Sequence, residues 1–252
     1  VNVPIPNSSG VPSNPTVNAG GVRNSGLEMA LGYRNSAGDF NYSVNLNFAT
    51  IQNEVTSIGS GQPIAAGSGT DRFDITRTEV NQPVGYYFGY IVDGLYQTDQ
   101  EAAEANDFRN PMAGDFIFRD VNGFDEQGNV IPGGDGEVNT ADRTLIGNPI
   151  PDFTYGLNIS MDYKNFDLNM FIQGVEGNEI FNVFKQQTWQ VPYFNGSGLT
   201  NSVREVYEQR WTGPGTSNTV PRLGYQEVNN YPFSSSFYVE DGSFTRLRNL
   251  QL

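Results

Sequence analysis

The sequence predicts an all-β fold: a segment of a transmembrane antiparallel β-barrel with long loops and short helices. Three observations predict it. Apolar and polar residues alternate with period two over about nine residues in each of four runs. The polar positions of those runs are mostly Asn, Ser, Thr and Gly, with few of the Lys and Glu that cover a soluble surface. The runs are joined in pairs by short turns, while the connections between pairs are long and rich in Gly, Asp, Asn and Pro.

The first pair lies in "SGLEMALGYRNSAGDFNYSVNLNFA". Leu27, Met29, Leu31 and Tyr33 share one face, opposite Glu28, Ala30, Gly32 and Arg34. After the turn "NSAGD" the parity flips, so that Phe40, Tyr42, Val44, Leu46 and Phe48 are apolar against Asn41, Ser43, Asn45 and Asn47. The second pair, "DFTYGLNISMDYKNFDLNMFIQG", repeats the design. Phe153, Tyr155, Leu157, Ile159 and Met161 oppose Thr154, Gly156, Asn158 and Ser160; after "DYKN" come Phe166, Leu168, Met170 and Ile172. Alternation alone fits the inner face of a soluble sandwich equally well. The polar-face composition, the aromatic residues at the turn ends (Tyr33, Phe40, Phe166) and a strand length near the 9–11 residues of a tilted membrane strand favour lipid.

Residues 59–85, 98–149 and 174–235 read as irregular connections, too long for a compact soluble domain. Two helices interrupt them. "TDQEAAEAND" carries good helix formers behind a Thr98 or Asp99 cap, and "TNSVREVYEQRW" sets Val203, Val206, Tyr207 and Arg210 on one stripe behind Thr200 or Asn201.

Composition narrows the function classes. The 252 residues include 28 acidic and 14 basic side chains, a net charge of −14 that repels nucleic acid. With no histidine and no cysteine, every imidazole- or thiolate-based catalytic or metal site is excluded. "GSGQPIAAGSG" lacks the GK[ST] of a phosphate loop, and Glu101/Glu104 and Glu205/Glu208 stand at helical spacing on solvated faces, so no catalytic residue is assigned. Trp189, Tyr193, Phe194 and Trp211, with Tyr231 and Phe233, are aromatic loop residues that either stack on a sugar or peptide or pack the loops together; the first four are the substrate-contact candidates.

Read together, five stretches resemble the SusC/RagA-like TonB-linked outer-membrane transporters of Bacteroidota. They are "GGVRNSGLEMALGYR", "QPVGYYFGYIVDGLYQTDQE", "GDFIFRDVNG" continued by "GDGEVNTADRTLIGNPIPDFTYGLN", "GNEIFN" and "YVEDGSFTRLRNLQL", in the order that family has. The resemblance implies a barrel of about 22 strands around a plug. Residues 1–252 would be a C-terminal part of that barrel without plug or final strands, and 98–149 an extracellular loop region. It further implies a non-enzymatic protein of the outer membrane that takes up oligosaccharides or peptides. Its partners would be a SusD-like surface lipoprotein and, through the plug, TonB. Two alternatives from outside this reading are a soluble β-rich binding or adhesion domain with a calcium-stabilised loop, and a related barrel serving secretion.

One loop carries a candidate metal site. "FRDVNGFDEQGNVIPGGDGEVNTADRTLIGNP" begins and ends like a calcium-binding loop, alternating short Asx side chains around a glycine. The resemblance implies an uninterrupted D-x-N-x-D-G pattern, but here "GFDEQGNVIPGG" stands between the second and third ligand positions. Asp120, Asn122, Asp135, Glu137 through its carbonyl, Asn139 and Asp142 are the expected ligands of a structural calcium or similar hard ion. The insert, with its own turn residues, is expected to loop out as a small hairpin.

Overall fold

The computed structural model describes residues 20–59, 61–68, 74–125, 127–189, 202–223 and 233–252. Five strands form its largest sheet: β1 (Glu28–Ala37), β2 (Phe40–Thr50), β3 (Phe153–Tyr163), β4 (Phe166–Glu176) and β5 (Phe244–Gln251). They lie in chain order, each antiparallel to the next. This is an open meander with edges at β1 and β5, and it does not close on itself.

The register explains why alternation in the sequence becomes a two-faced sheet. Leu31 pairs with Leu46, Leu46 with Leu157, Leu157 with Ile172 and Ile172 with Leu247, so one apolar row crosses all five strands. The next residue along each strand faces the other way: Gly32, Asn45, Asn158 and Phe171 form the row behind it. A slip by one residue would exchange the two faces. No second sheet covers the apolar side among the described residues: Leu31 is 55% exposed, Leu247 53% and Leu250 59%. A soluble sandwich needs that cover.

Aromatic rings mark both ends of the apolar band. At the tight turns Tyr33, Phe40, Tyr42 and Tyr163 form a chain with centroids 5.5–6.4 Å apart. At the other end Phe48 lies 5.4 Å from Phe153, which lies 6.3 Å from Tyr155. The Tyr155 ring crosses Gly174, where an added Cβ would come within 2.1 Å of it. The 11 residues of β3 extend roughly 35 Å, and a tilt near 40° reduces that to about 27 Å, close to the band of a membrane strand.

The two turns solve the same problem with different residues. Gly38 enters the first with φ +62°, a conformation free to glycine; Lys164 enters the second with φ +55°, which strains a side chain.

At the opposite edge, β1 and β2 continue beyond the sheet as a second hairpin, Gly20–Ser25 paired with Gln52–Ile58. The joint is Gly26, whose missing Cβ would lie 2.0 Å from the Thr50 carbonyl oxygen. The long connections leave from this edge and fold into a loop layer.

That layer is more regular than its composition suggests. Ile64–Ser68, Asp74–Thr78, Tyr86–Gly89 and Thr144–Gly147 make a four-stranded sheet. Val92–Leu95 pairs with Phe116–Phe118, and Glu179–Phe181 with Val239–Asp241. Ile64–Ser68, Asp74–Thr78, Phe116–Phe118, Thr144–Gly147 and Glu179–Phe181 form inside stretches expected to be irregular, most of them paired with strands outside their own stretch. Helix α1 (Asp99–Glu104) starts from Thr98, whose hydroxyl accepts the Glu101 amide, as expected. An unforeseen helix, α2 (Val183–Thr188), is capped by Asn182. Helix α3 (Arg204–Gln209) begins after Val203 with no side-chain cap; the expected caps Thr200 and Asn201 lie outside the described residues. Of its stripe only Val206 is buried.

Candidate functional site

The Asp120 loop is built from Asx side chains that accept backbone amides. Asp142, fully buried, is its centre. One of its carboxylate oxygens accepts the amides of Val121 at 2.8 Å and Asn122 at 3.1 Å, and the other accepts Asn139 at 2.7 Å. Asn139 caps the 3₁₀ turn Thr140–Asp142 by accepting the Ala141 amide, and Asn122 donates its side-chain amide to the Ala141 carbonyl. Asp120 accepts the amides of Asp135 and Gly136, and Asp135 accepts that of Glu137.

The insert leaves this frame as a hairpin, Asn122–Phe124 against Val130–Pro132. It returns so close to its origin that a Cβ on Gly134 would meet the Asp120 carboxylate at 2.7 Å. At its tip Asp125 accepts both the side chain and the amide of Asn129, which hold its carboxyl below the usual carboxylate range.

A hard cation needs six to eight oxygens converging on one point. The six expected ligands do come into one loop, but Asp120, Asp135 and Asp142 each turn a carboxylate toward amides. Among the described residues no three acidic side chains are placed to share an ion. The carboxylates of the loop are engaged as acceptors of hydrogen-bonded Asx turns.

The aromatic candidates separate in the same way. Trp189 packs 5.7 Å from Phe237 with the Lys185 ammonium 5.0 Å from its ring. Trp211 lies against a cluster of Tyr90, Leu95, Phe116 and Phe118, and donates its indole N–H to Gln97. Tyr193 and Phe194 lie outside the described residues. Both tryptophans therefore hold loops together in this structure.

The cluster beneath Trp211 is the best-packed part of the loop layer. Tyr90 stacks on Phe118 at 4.5 Å and 5°, and the Arg109 guanidinium lies 3.9 Å from the centre of the Phe118 ring. Arg109 is held by the buried Asp107 carboxylate and donates to the Phe116 carbonyl at 2.8 Å. Asp115, also fully buried, pairs with Arg222 at 2.7 Å. Burial pushes the Tyr90 phenol up to about 12, and its hydroxyl has no hydrogen-bond partner among the described residues.

The chain is similar to known proteins over nearly its whole length. TonB-dependent receptor P3 of Formosa agariphila is 33% identical over 254 residues, covering 98% of this chain. TonB-dependent receptor SusC of Bacteroides thetaiotaomicron is 23% identical over 255 residues, covering 99% of it. A solved RagAB peptide transporter superposes with a TM-score of 0.70 at 20% identity over 99% of the chain. The chain is SusC/RagA-like throughout. It spans about a quarter of these relatives: 23% of the P3 receptor, 22% of SusC and 24% of the matched RagAB chain. No family model matches it. The five-stranded meander and its loop layer both fall within that structural match.

Proposed function

We propose that the chain forms part of the wall and outer loops of a TonB-energised outer-membrane transporter. Its substrates would be oligosaccharides or peptides, captured with a SusD-like surface lipoprotein as lid. The apolar row from Leu31 to Leu247 is the observation that carries this reading. A continuous apolar band, bounded by aromatic rings and left uncovered, suits hydrocarbon and not water. The Asn and Ser rows behind it then line a hydrated interior, and residues 98–149 belong to the outward side, opposite the tight turns.

The relatives are named as receptors and transporters, in keeping with a chain that has no histidine or cysteine chemistry. Among the described residues, nothing supplies the cover that the apolar face of a soluble adhesion domain requires. Calcium in the Asp120 loop is not needed by this reading.

The test is accumulation of labelled oligosaccharides and peptides by cells with and without the gene, before and after the proton gradient is collapsed. Accumulation of one nutrient class that requires both gene and gradient supports uptake. Accumulation unchanged by loss of the gene contradicts it.

A further inference from the structure

Strand β5 breaks its alternation at one position, and the break gathers charge on the polar face of the sheet. Arg246 pairs with Gln173 and Leu247 with Ile172, but Asn249 pairs with Phe171, so Arg248 is an extra residue opposite β4. Strict alternation would turn Leu250 to the polar side; the bulge restores it to the apolar set, paired with Met170. The bulge also re-aims Arg248, which donates to Gln173 Oε1 at 3.2 Å. Two arginines therefore meet at one glutamine.

Neither arginine is neutralised. Among the described residues no carboxylate pairs with Arg246 or Arg248. Arg246 lies against the Phe244 ring, 4.8 Å from its centre, and Arg248 spends one N–H on Gln173. A guanidinium has five donors in a planar fork that suits carboxylate or sulfate oxygens, so most remain for a ligand. The carboxylates on this face of the sheet are Glu28, four strands away, and Asp162 and Asp167, at the turn end of β3 and β4. Strand spacing and rise put them roughly 20 Å from Gln173, beyond the range of screened attraction. In a chain of net charge −14 this patch is locally cationic.

The surface beside it suits a sugar. Asn47, Gly156 and Gln173 lie in the row that ends at Arg246, and Asn158 and Phe171 in the row that ends at Asn249. Asn and Gln side chains both donate and accept, as sugar hydroxyls do. The Phe171 ring reaches across to Gly156, where an added Cβ would meet it at 3.3 Å. It thereby offers an apolar surface to the C–H groups of a sugar ring.

We propose that Arg246 and Arg248 bind the carboxylate or sulfate group of an acidic oligosaccharide on the inner face of the wall, with Gln173 and Phe171 beside it. The assignment rests on the uptake reading, which makes this face the hydrated interior.

The experiment uses the full-length transporter in detergent with a single cysteine, Asn249→Cys, any cysteine elsewhere in the protein being replaced by serine. Its labelling rate is measured with an anionic and a cationic methanethiosulfonate reagent. The anionic reagent is expected to react roughly tenfold faster than in the Arg246→Gln/Arg248→Gln variant, and the cationic one slower. The Arg246→Lys/Arg248→Lys variant should keep that preference, which shows that charge and not misfolding removes it. A uronic-acid or a sulfated oligosaccharide should protect the cysteine, and the arm that protects identifies the group; a neutral oligosaccharide of equal length should not. A reactive cysteine with no preference between the reagents, protection by the neutral sugar as strong as by the acidic ones, or protection by an acidic peptide in their place would each overturn the assignment and leave uptake standing. A cysteine silent to both reagents would mean that this face is not hydrated, and would overturn both readings.

Discussion

In the five-stranded sheet, Leu31, Leu247 and Leu250 remain more than half exposed, whereas in the loop layer Leu95, Phe116 and Phe118 are 1, 0 and 2% exposed. Both regions are antiparallel, and both use apolar residues. They differ in what completes them. The loop layer buries its own rings and pairs the buried charges beside them, Asp107 with Arg109 and Asp115 with Arg222. That is how a protein folds against water. The sheet instead leaves its apolar row uncovered, so its surroundings must supply the contact. On the proposed membrane placement one chain follows two solvent regimes, divided near Gly26, where the hairpin leaves the sheet.

The largest effect is expected in the loop layer. Asp107→Ala removes the carboxylate from a buried ion pair and should cost about 3–5 kcal/mol. Limited proteolysis should then cut the loops while the sheet stays protected. Equal loss of protection in both regions would erase the distinction between them.

Next comes the sheet. Leu157→Arg puts a charge in the middle of the apolar row and is expected to cost about 2–4 kcal/mol in a bilayer. Asn158→Arg, one residue along on the polar face, should cost far less. Urea titration of the full-length protein folded into vesicles measures both, and equal costs would contradict the assignment of faces.

Asp142→Asn is smaller, about 1–3 kcal/mol, because it weakens a buried acceptor of amides. We expect the same loss in calcium and in chelator, followed by thermal unfolding. A loss that calcium restores would mean that an ion, not the amides, closes the loop.

The smallest effect concerns Tyr90, whose hydroxyl lacks a partner among the described residues. Tyr90→Phe should be nearly neutral at pH 7. The folded phenol keeps its proton to about pH 12 while the unfolded one loses it near 10.0. Stability from this group is therefore present below pH 10 and falls between 10 and 12. The variant should flatten that part of the alkaline unfolding curve, and an unaltered curve would count against burial as the cause.

These two regions also differ in how far the sequence reveals them. Where Leu46, Asn47 and Phe48 alternate, each side chain reports its own face, so strands β1 to β4 and their two turns are readable locally. The insert was readable too, since Gly128, Gly133 and Gly134 announce turns and the flanking Asx spacing resumes after them. Local reading fails where contacts are long-range. Tyr90, Phe118 and Phe233 meet in one cluster, yet nothing in their neighbourhoods announces it. The same holds for Arg77 and Arg143, 66 positions apart, which converge on Phe88 only because Tyr86–Gly89 pairs with both Asp74–Thr78 and Thr144–Gly147. The Asx pattern at Asp120 was legible as a loop, but oxygen-rich turns and cation sites draw on the same residues, and spacing does not separate them.

Spin labels placed singly at Leu157, Asn158, Ile159 and Ser160 of the full-length protein in vesicles test the central claim most directly, by power saturation with oxygen and a water-soluble nickel chelate. The account predicts alternation: high oxygen and low nickel accessibility at 157 and 159, with more nickel at 158 and 160. Labels at 157 and 159 as accessible to nickel as their neighbours, or shielded from both reagents, would contradict it.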